Sequence, residues 1–161
     1  MENDFQKKRA HELWAEGQEL QLRGKLEKAI ELYEKSIQIF PTAEAHTFLG
    51  WAFSFQGRID DAIAQCKRAI EVDPSLGNPY NDIGSYLIGQ GNIDESIQWL
   101  EKAKSASRYD AKHFPYINLG RAYAAKGLIL RAIQEFEEAL AICPGDPTTL
   151  AALKELREAI N

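Results

Sequence analysis

The sequence predicts an all-α fold, namely an α-solenoid of four antiparallel helix–turn–helix repeats that ends in a C-terminal solvating helix. Pairs of glycines, seven residues apart, recur along the 161-residue chain at steps of 33, 34 and 36 residues. Apolar residues recur at helical spacing within each pair, and the pattern restarts after the second glycine. The pairs are Gly17/Gly24, Gly50/Gly57, Gly84/Gly91 and Gly120/Gly127. Such periodicity is typical of arrays that present a binding surface.

The two glycines of each pair have different predicted roles. In a 34-residue frame the first glycine lies at position 8 and the second at position 15. Glycine at position 15 can take the left-handed conformation that ends the first helix, A, without a side-chain penalty. Small residues at positions 8, 20 and 27 allow helix A and the second helix, B, to approach closely. Positions 20 and 27 hold Ala29, Ala62, Ser96 and Ala132, and Ser36, Ala69, Ala103 and Ala139.

The repeat boundaries follow from this frame. We expect one domain over residues 1–161, with repeats at about 10–42, 43–76, 77–112 and 113–146 and a capping helix at about 147–160. Proline at position 32 ends helix B in three repeats, because it lacks the N–H that another turn would need. The third repeat has Arg108 there, and its connection is two residues longer. We expect helix B to run on, or a loop to bulge at 105–112, and we interpret the change as a surface insertion in preference to a binding loop.

The C-terminal segment has the pattern of a helix that closes the array. Asp146 or Thr148 can cap its start, and Pro147 suits its first turn. A narrow apolar stripe follows, made of Leu150, Leu153, Leu156 and Ile160. One face can therefore cover the fourth repeat while the other meets water. We expect the chain to be a complete small solenoid rather than a fragment.

The 34-residue frame resembles the tetratricopeptide repeat, and the resemblance extends over residues 10–144. It implies a right-handed superhelix whose A helices line the concave face. The first repeat departs from the pattern at position 7, where the family usually has a large apolar residue and this chain has Glu16. An acidic residue suits an N-terminal helix that no preceding repeat covers.

The composition disfavours several classes of protein. A net charge of −5 argues against a nucleic-acid-binding protein, which usually carries a basic patch. The longest apolar run is too short to span a bilayer, and the N-terminus lacks the pattern of a signal peptide. We therefore expect no nucleic acid partner, no membrane insertion and a cytoplasmic location.

Residue types that catalyse reactions or bind metals are scattered along the chain. Cys66 and Cys143 do not have the spacing of a redox or zinc motif. His11, His46 and His113 have no cysteine or carboxylate at ligand spacing beside them. Cys66 lies in a packing position of the repeat, where a buried thiol is expected. No nucleophile is accompanied in sequence by a base, so we expect no enzyme, no metal and no cofactor.

The resemblance also implies which side chains face the concave groove. The predicted partner-binding residues are Trp14, Gln18, Phe48, Trp51, Phe55, Asn81, Asp82, Ser85, Asn118 and Arg121. The aromatic members come from the first two repeats, and the polar members mostly from the last two. Aromatic side chains are common binding anchors, and asparagine can pair with both groups of a peptide bond. Two alternatives stay open: Phe48 and Phe55 pack between A helices, or Arg121 pairs internally with Asp82.

One function of the tetratricopeptide family can be tested on the sequence. Co-chaperones that bind acidic C-termini use a carboxylate clamp of lysine, asparagine and arginine at five helix-A positions. Here those positions hold Trp14, Gln18, Phe48, Asn78 and Asp82 in one register, and Thr47, Trp51, Asp82, Phe114 and Asn118 in the other. Neither register matches, and Asp82 would repel a carboxylate. We predict a non-enzymatic adaptor that binds another protein or peptide, with a self-associating scaffold as the alternative.

Overall fold

The computed structural model describes residues 1–161 and contains nine α-helices. Their bounds are α1 Glu2–Leu22, α2 Leu26–Ile39, α3 Ala43–Phe55, α4 Ile59–Val72, α5 Asn78–Gly89, α6 Ile93–Lys104, α7 His113–Ala125, α8 Ile129–Ile142 and α9 Pro147–Ala159. The first eight helices form four successive pairs, and α9 packs on α8. The predicted right-handed solenoid of four helix pairs with a closing helix is confirmed.

The turn inside each pair depends on glycine, as predicted. Gly24, Gly57, Gly91 and Gly127 have φ angles of 79°, 76°, 81° and 76°, and no other residue has a positive φ. At Gly57 the N–H donates to the carbonyl of Ser54, and the N–H of Arg58 donates to that of Phe53. The left-handed glycine thus allows N–H groups of the turn to bond to the last carbonyls of helix A, and the chain can reverse within three residues.

The first glycine of each pair allows the two helices to approach closely. A Cβ atom placed on Gly120 would lie 2.6 Å from Cε1 of Phe136, which is closer than real Cβ contacts. Ala132, one turn before that phenylalanine, is fully buried between the helices. All eight residues of positions 20 and 27 are buried. Side-chain volume at these positions therefore determines the distance between helices A and B.

The N-terminal helix is longer than the repeat requires. Helix α1 has 21 residues, whereas the helices after it have 12 to 14. It begins at Glu2, eight residues before the predicted repeat, and Phe5 in this extension is 71% exposed. Glu16 is also exposed, consistent with an uncovered first helix.

The long connection at residues 105–112 was expected either to continue helix B or to form a loop, and the structure has the loop. Helix α6 ends at Lys104, so helix B does not run on. Residues 105–112 instead fold against the preceding connection, because two backbone hydrogen bonds of 3.0 Å join the two segments. The N–H of Arg108 donates to the carbonyl of Ser75, and the N–H of Gly77 donates to the carbonyl of Arg108. The buried ring of Tyr109 packs on Gly77, where a side chain would collide with it. The insertion is therefore anchored to its neighbouring repeat.

The closing helix α9 begins as the sequence predicts. Asp146 is the N-cap, and its Oδ2 accepts hydrogen bonds of 2.8 Å from the Thr149 N–H and 2.6 Å from the Thr149 hydroxyl. Leu153 is buried in one cluster with Leu119 and Phe136 of the fourth repeat. Helix α9 therefore completes the core of the last helix pair.

Candidate partner-binding groove

The four A helices α1, α3, α5 and α7 lie side by side along one face of the array, since each contacts the next A helix as well as its own partner. Two neighbouring depressions run along this face. Their volumes are about 310 and 340 Å³, and both are lined by Trp51 and Asp82. We call the surface formed by the ten predicted residues listed above the concave groove.

The first depression lies between α1, α3 and α5. Of the predicted residues, Trp14, Gln18, Phe48, Trp51 and Asp82 line it. Glu44, Thr47, Leu76 and Asn78 complete its wall. The lining of this depression thus combines aromatic rings with carboxylate, hydroxyl and amide groups.

Phe48 has a structural role as well as a position in the groove. Its ring stacks on Trp14 with centroids 5.2 Å apart and on the buried Tyr33 with centroids 5.9 Å apart. It is half-buried and packs against the core formed with Leu49 and Phe53. The interpretation of Phe48 as a packing residue is therefore correct, although its edge still lines the first depression.

Trp51 lines more than one depression of this surface. Its half-buried indole lines both depressions and a third one of about 380 Å³ that extends toward Gln21 and Leu26. Phe55, one turn later, meets Trp51 edge-on with centroids 5.3 Å apart and is 64% exposed. Phe55 is therefore not packed between A helices, and the two rings form an aromatic edge that faces solvent.

The polar half of the groove is joined by hydrogen bonds between neighbouring repeats. The Asn118 amide donates to Oδ1 of Asn81 at 2.9 Å, and Arg121 donates to Oδ1 of Asn118 at 2.7 Å. Both asparagines are buried, whereas Arg121 is exposed. The anticipated pairing of Arg121 with Asp82 is wrong, because the guanidinium group is held by Asn118 instead.

Asp82 lies at the boundary between the aromatic and polar halves. Its burial raises the pKa of the carboxyl group to about 7, and a hydrogen bond with Asn81 opposes this rise only in part. Asp82 takes part in none of the salt bridges of the chain. Tyr86 lies beside it, with its buried hydroxyl next to Ser54. The centre of the groove therefore contains a carboxylate without a cationic partner.

Comparisons with known proteins place the array in a family. A sequence pattern described as "Tetratricopeptide repeat" matches residues 43–76, and a second pattern of the same description matches residues 13–42, 78–110 and 115–146. The chain belongs to the tetratricopeptide repeat family. Each matched stretch falls on one of the four helix pairs of the fold, although α1 and α7 begin before the stretches that match them.

Similar tetratricopeptide proteins come from distant organisms. The chain is 32% identical over 95 residues to small glutamine-rich tetratricopeptide repeat-containing protein 2 of Mycosarcoma maydis, a match that covers 58% of this chain and 27% of that protein. It is 31% identical over 119 residues to an uncharacterized TPR repeat-containing protein of Arabidopsis thaliana, with 70% of this chain and 14% of that protein covered. The chain thus spans only a small part of the relatives' length.

Solved structures share the fold at lower identity. The pilF protein of Pseudomonas aeruginosa superposes with a TM-score of 0.88 at 22% identity, over 94% of this chain and 68% of that one. The type IV pilus biogenesis factor PilW gives 0.85 at 19% identity, over 93% and 69%. The first TPR of Spaghetti (RPAP3), bound to the HSP90 peptide SRMEEVD, gives 0.68 at 18% identity, over 74% and 93%. At these identities the likeness extends to the fold alone.

The rim of the groove makes one contact that the sequence did not predict. Arg108 of the long connection donates to Glu44 at 2.7 Å and to Asp73 at 2.6 Å. Glu44 lines the first depression, so the connection supports the rim of the groove. The hydrogen bonds from Ser75 and Arg108 hold the pKa of Asp73 down to about 2. The one sign of this contact in the sequence was Arg108 at position 32, where the other three repeats have proline.

The structure also brings together residues that the sequence keeps apart. Ligand atoms of His113, Cys143 and Asp146 lie within 4.8 Å of one another at the junction of α7, α8 and α9. Cys66, in contrast, is fully buried in the packing position predicted for it.

No helix of the chain combines the length and apolar character that crossing a bilayer requires.

Proposed function

We propose that this tetratricopeptide protein is a non-enzymatic adaptor that holds a segment of a partner protein in the concave groove. The observation that supports it most is the position of Trp51, which lines three contiguous depressions and continues into the exposed ring of Phe55. Rigid aromatic side chains bury a large area at low entropic cost, which makes them frequent binding anchors.

The chemistry of the groove selects a type of partner segment. An apolar or aromatic side chain of the partner fits the first depression against Trp14 and Trp51. A hydrogen-bond donor or a cation beside that side chain fits Asp82, which lines this depression. Arg121, held in place by Asn118, offers its remaining N–H groups to a partner carbonyl or carboxylate. The proposed ligand is therefore an amphipathic segment with a donor near its apolar anchor.

The groove chemistry argues against the ligand of one structural neighbour. The HSP90 peptide bound by the first TPR of Spaghetti (RPAP3) ends in two glutamates, a valine and an aspartate. At the clamp positions this chain has Trp14, Phe48 and Asp82 instead of basic residues or asparagine. An ionised Asp82 would repel an acidic peptide across the narrow groove.

Affinity capture from lysate of the source cells tests the proposal. Wild type is compared with Trp51→Ala/Arg121→Glu, and retained proteins are identified by mass spectrometry. A matched control, Trp99→Ala/Arg68→Glu, makes the same changes on B helices α6 and α4. We expect a partner that is captured by wild type and by the control but is lost from the groove variant.

Each variant must first show the helical circular dichroism of wild type. The partner's segment is then measured by titration calorimetry against both variants. Equal affinity for wild type and the groove variant would overturn the groove proposal, and would move binding to another face.

Exposed apolar side chains at the two ends of the array favour self-association as a second candidate. Phe5 on α1 and Leu150 on α9 are exposed. Leu150 borders a depression of about 350 Å³ between α8 and α9. Contact of one copy's N-terminal end with this depression of the next would be heterologous and open-ended. Light scattering at two protein concentrations decides the matter, because a monomer at both excludes this candidate.

A further inference from the structure

Three residues of metal-binding type converge where the last repeat meets the closing helix. His113 is the first residue of α7, Cys143 directly follows α8, and Asp146 is the N-cap of α9. The imidazole nitrogen, the thiol sulfur and a carboxylate oxygen lie within 4.8 Å of one another. All three side chains are half-buried, so they remain accessible to an ion from solvent.

The carboxylate of Asp146 is oriented and still has a free oxygen. Its Oδ2 accepts both hydrogen bonds from Thr149. Its Oδ1 accepts none, so it is available as a ligand while Oδ2 keeps the cap. Metal-bound carboxylates are commonly held by such outer hydrogen bonds.

The other repeats act as internal controls for these three positions. The positions are 1, 31 and 34 of the 34-residue frame. At these positions the first repeat has Ala10, Phe40 and Ala43, and the second has Ala43, Asp73 and Leu76. The third repeat has Gly77, Ser107 and Asp110. Helix pairs of the same form are built around all of these sets. Packing of the repeat therefore does not require histidine and cysteine at this junction, whereas Asp146 also serves as the N-cap of α9.

We propose that His113, Cys143 and Asp146 form a site for a divalent transition metal ion, with Zn²⁺ as the ion that suits them best. Imidazole, thiolate and carboxylate are the three ligand types that Zn²⁺ takes from proteins, and a thiolate disfavours Mg²⁺ and Ca²⁺. Ligand distances of about 2.0 to 2.3 Å place tetrahedral ligand atoms about 3.4 to 3.7 Å apart. Closing the present separation needs a movement of about 1 Å, which side-chain rotation supplies. A solvent molecule takes the fourth position.

The ion would add bonds at the junction of α7, α8 and α9, where Arg157 on α9 already pairs with Glu137 on α8. It would connect the start of α7 to the α8–α9 junction, and so hold both ends of the fourth repeat to the closing helix. Since the ion binds the folded arrangement, it would raise the stability of this end of the array.

Cobalt binding tests the site in the full chain. The reduced protein is stripped of metal with a chelator and titrated with Co²⁺, a spectroscopic substitute for Zn²⁺. We expect one Co²⁺ per chain, with a thiolate-to-cobalt charge-transfer band in the near ultraviolet and visible bands of four-coordinate Co²⁺. Zn²⁺ should displace the cobalt, bleach both bands and raise the melting temperature.

Variants assign the ligands one at a time. Cys143→Ser should lose the charge-transfer band, and His113→Ala should bind Zn²⁺ more than about tenfold more weakly. Asp146→Asn preserves an N-cap, because asparagine caps as well as aspartate, and should also weaken Zn²⁺ binding. Cys66→Ala and His11→Ala are the matched controls and should bind as wild type does.

The same data can overturn the site. A wild-type protein without the charge-transfer band, or a Cys143→Ser variant that keeps it, would rule the site out. Zn²⁺ affinity unchanged in both His113→Ala and Asp146→Asn would do the same, and circular dichroism shows in each case that the variant is folded.

Discussion

The buried amide of Asn118 on α7 donates a hydrogen bond of 2.9 Å to the buried amide oxygen of Asn81 on α5. The two residues belong to neighbouring repeats, so this bond joins two successive A helices. Asn118 also accepts from Arg121, so the polar half of the groove is ordered through one side chain. A surface that is ordered before binding loses less entropy when a partner binds.

We expect this pair of asparagines to contribute to stability as a unit. Asn81→Ala or Asn118→Ala leaves one buried amide without its partner, which costs about 1–3 kcal/mol of the free energy of unfolding. The double variant removes both amides, and its cost should be smaller than the sum of the two. Urea unfolding of the four proteins measures the difference. Costs that add within about 0.5 kcal/mol would show that the pair is not coupled.

A methyl group at Gly120 should destabilise the fourth repeat. In Gly120→Ala the new Cβ would lie 2.6 Å from the ring of Phe136, so the helices must separate. We expect a loss of about 1–3 kcal/mol in urea unfolding. Gly89→Ala is the matched control, because a Cβ there meets no atom within 4 Å, and it should be neutral or stabilising by up to about 1 kcal/mol. Equal losses in the two variants would contradict the close-approach role of Gly120.

Asp82 should make stability depend on pH. The pKa of its carboxyl group is raised to about 7 in the folded chain, above the value of about 3.9 for an unfolded aspartate. Between these values the folded chain holds a proton that the unfolded chain has lost, so the contribution of Asp82 to the free energy of unfolding falls as pH rises.

Asp82→Asn removes that dependence. We expect the variant to melt above wild type at about pH 8, with a difference that shrinks as the pH falls toward about 4. Melting curves across this range measure it, with Glu155→Gln on the exposed face of α9 as the control. Parallel curves for Asp82→Asn and wild type would show that the carboxyl group is not perturbed.

The acidic peptide SRMEEVD should not bind this chain. Asp82 and the aromatic side chains Trp14 and Phe48 occupy clamp positions, so the peptide carboxylates would find no basic partner at those positions. Fluorescence anisotropy of labelled SRMEEVD should stay flat as the protein is added. The first TPR of Spaghetti (RPAP3) serves as the positive control. Saturable binding that Asp82→Asn leaves unchanged would contradict the assignment.

The sequence predicted the features that depend on local geometry. A left-handed turn at Gly57 and close approach at Gly120 are properties of single backbone positions, so periodicity alone located them. The N-cap at Asp146 follows the same local logic. These features determine the helix pairs and their packing, and therefore most of the fold.

Side-chain partners from distant repeats were not predictable in the same way. Arg108 meets Glu44 across 64 residues, and Asn118 meets Asn81 across 37. Such pairs depend on how far each repeat is rotated against the last one, which no single position encodes. The assignment of the concave groove to a partner thus stays a prediction, although its residues lie next to one another.

The contact of Arg108 with Glu44 changes the way in which this array should unfold. In a solenoid each repeat interacts only with its neighbours, so the repeats can open one after another. Arg108 belongs to the long connection that ends the third repeat, and it meets both the first turn of α3 and the end of α4 in the second repeat. The long connection therefore acts as a brace between units that would otherwise open separately. The middle of the array gains cooperativity, and opening should begin at the unbraced N-terminal pair α1–α2.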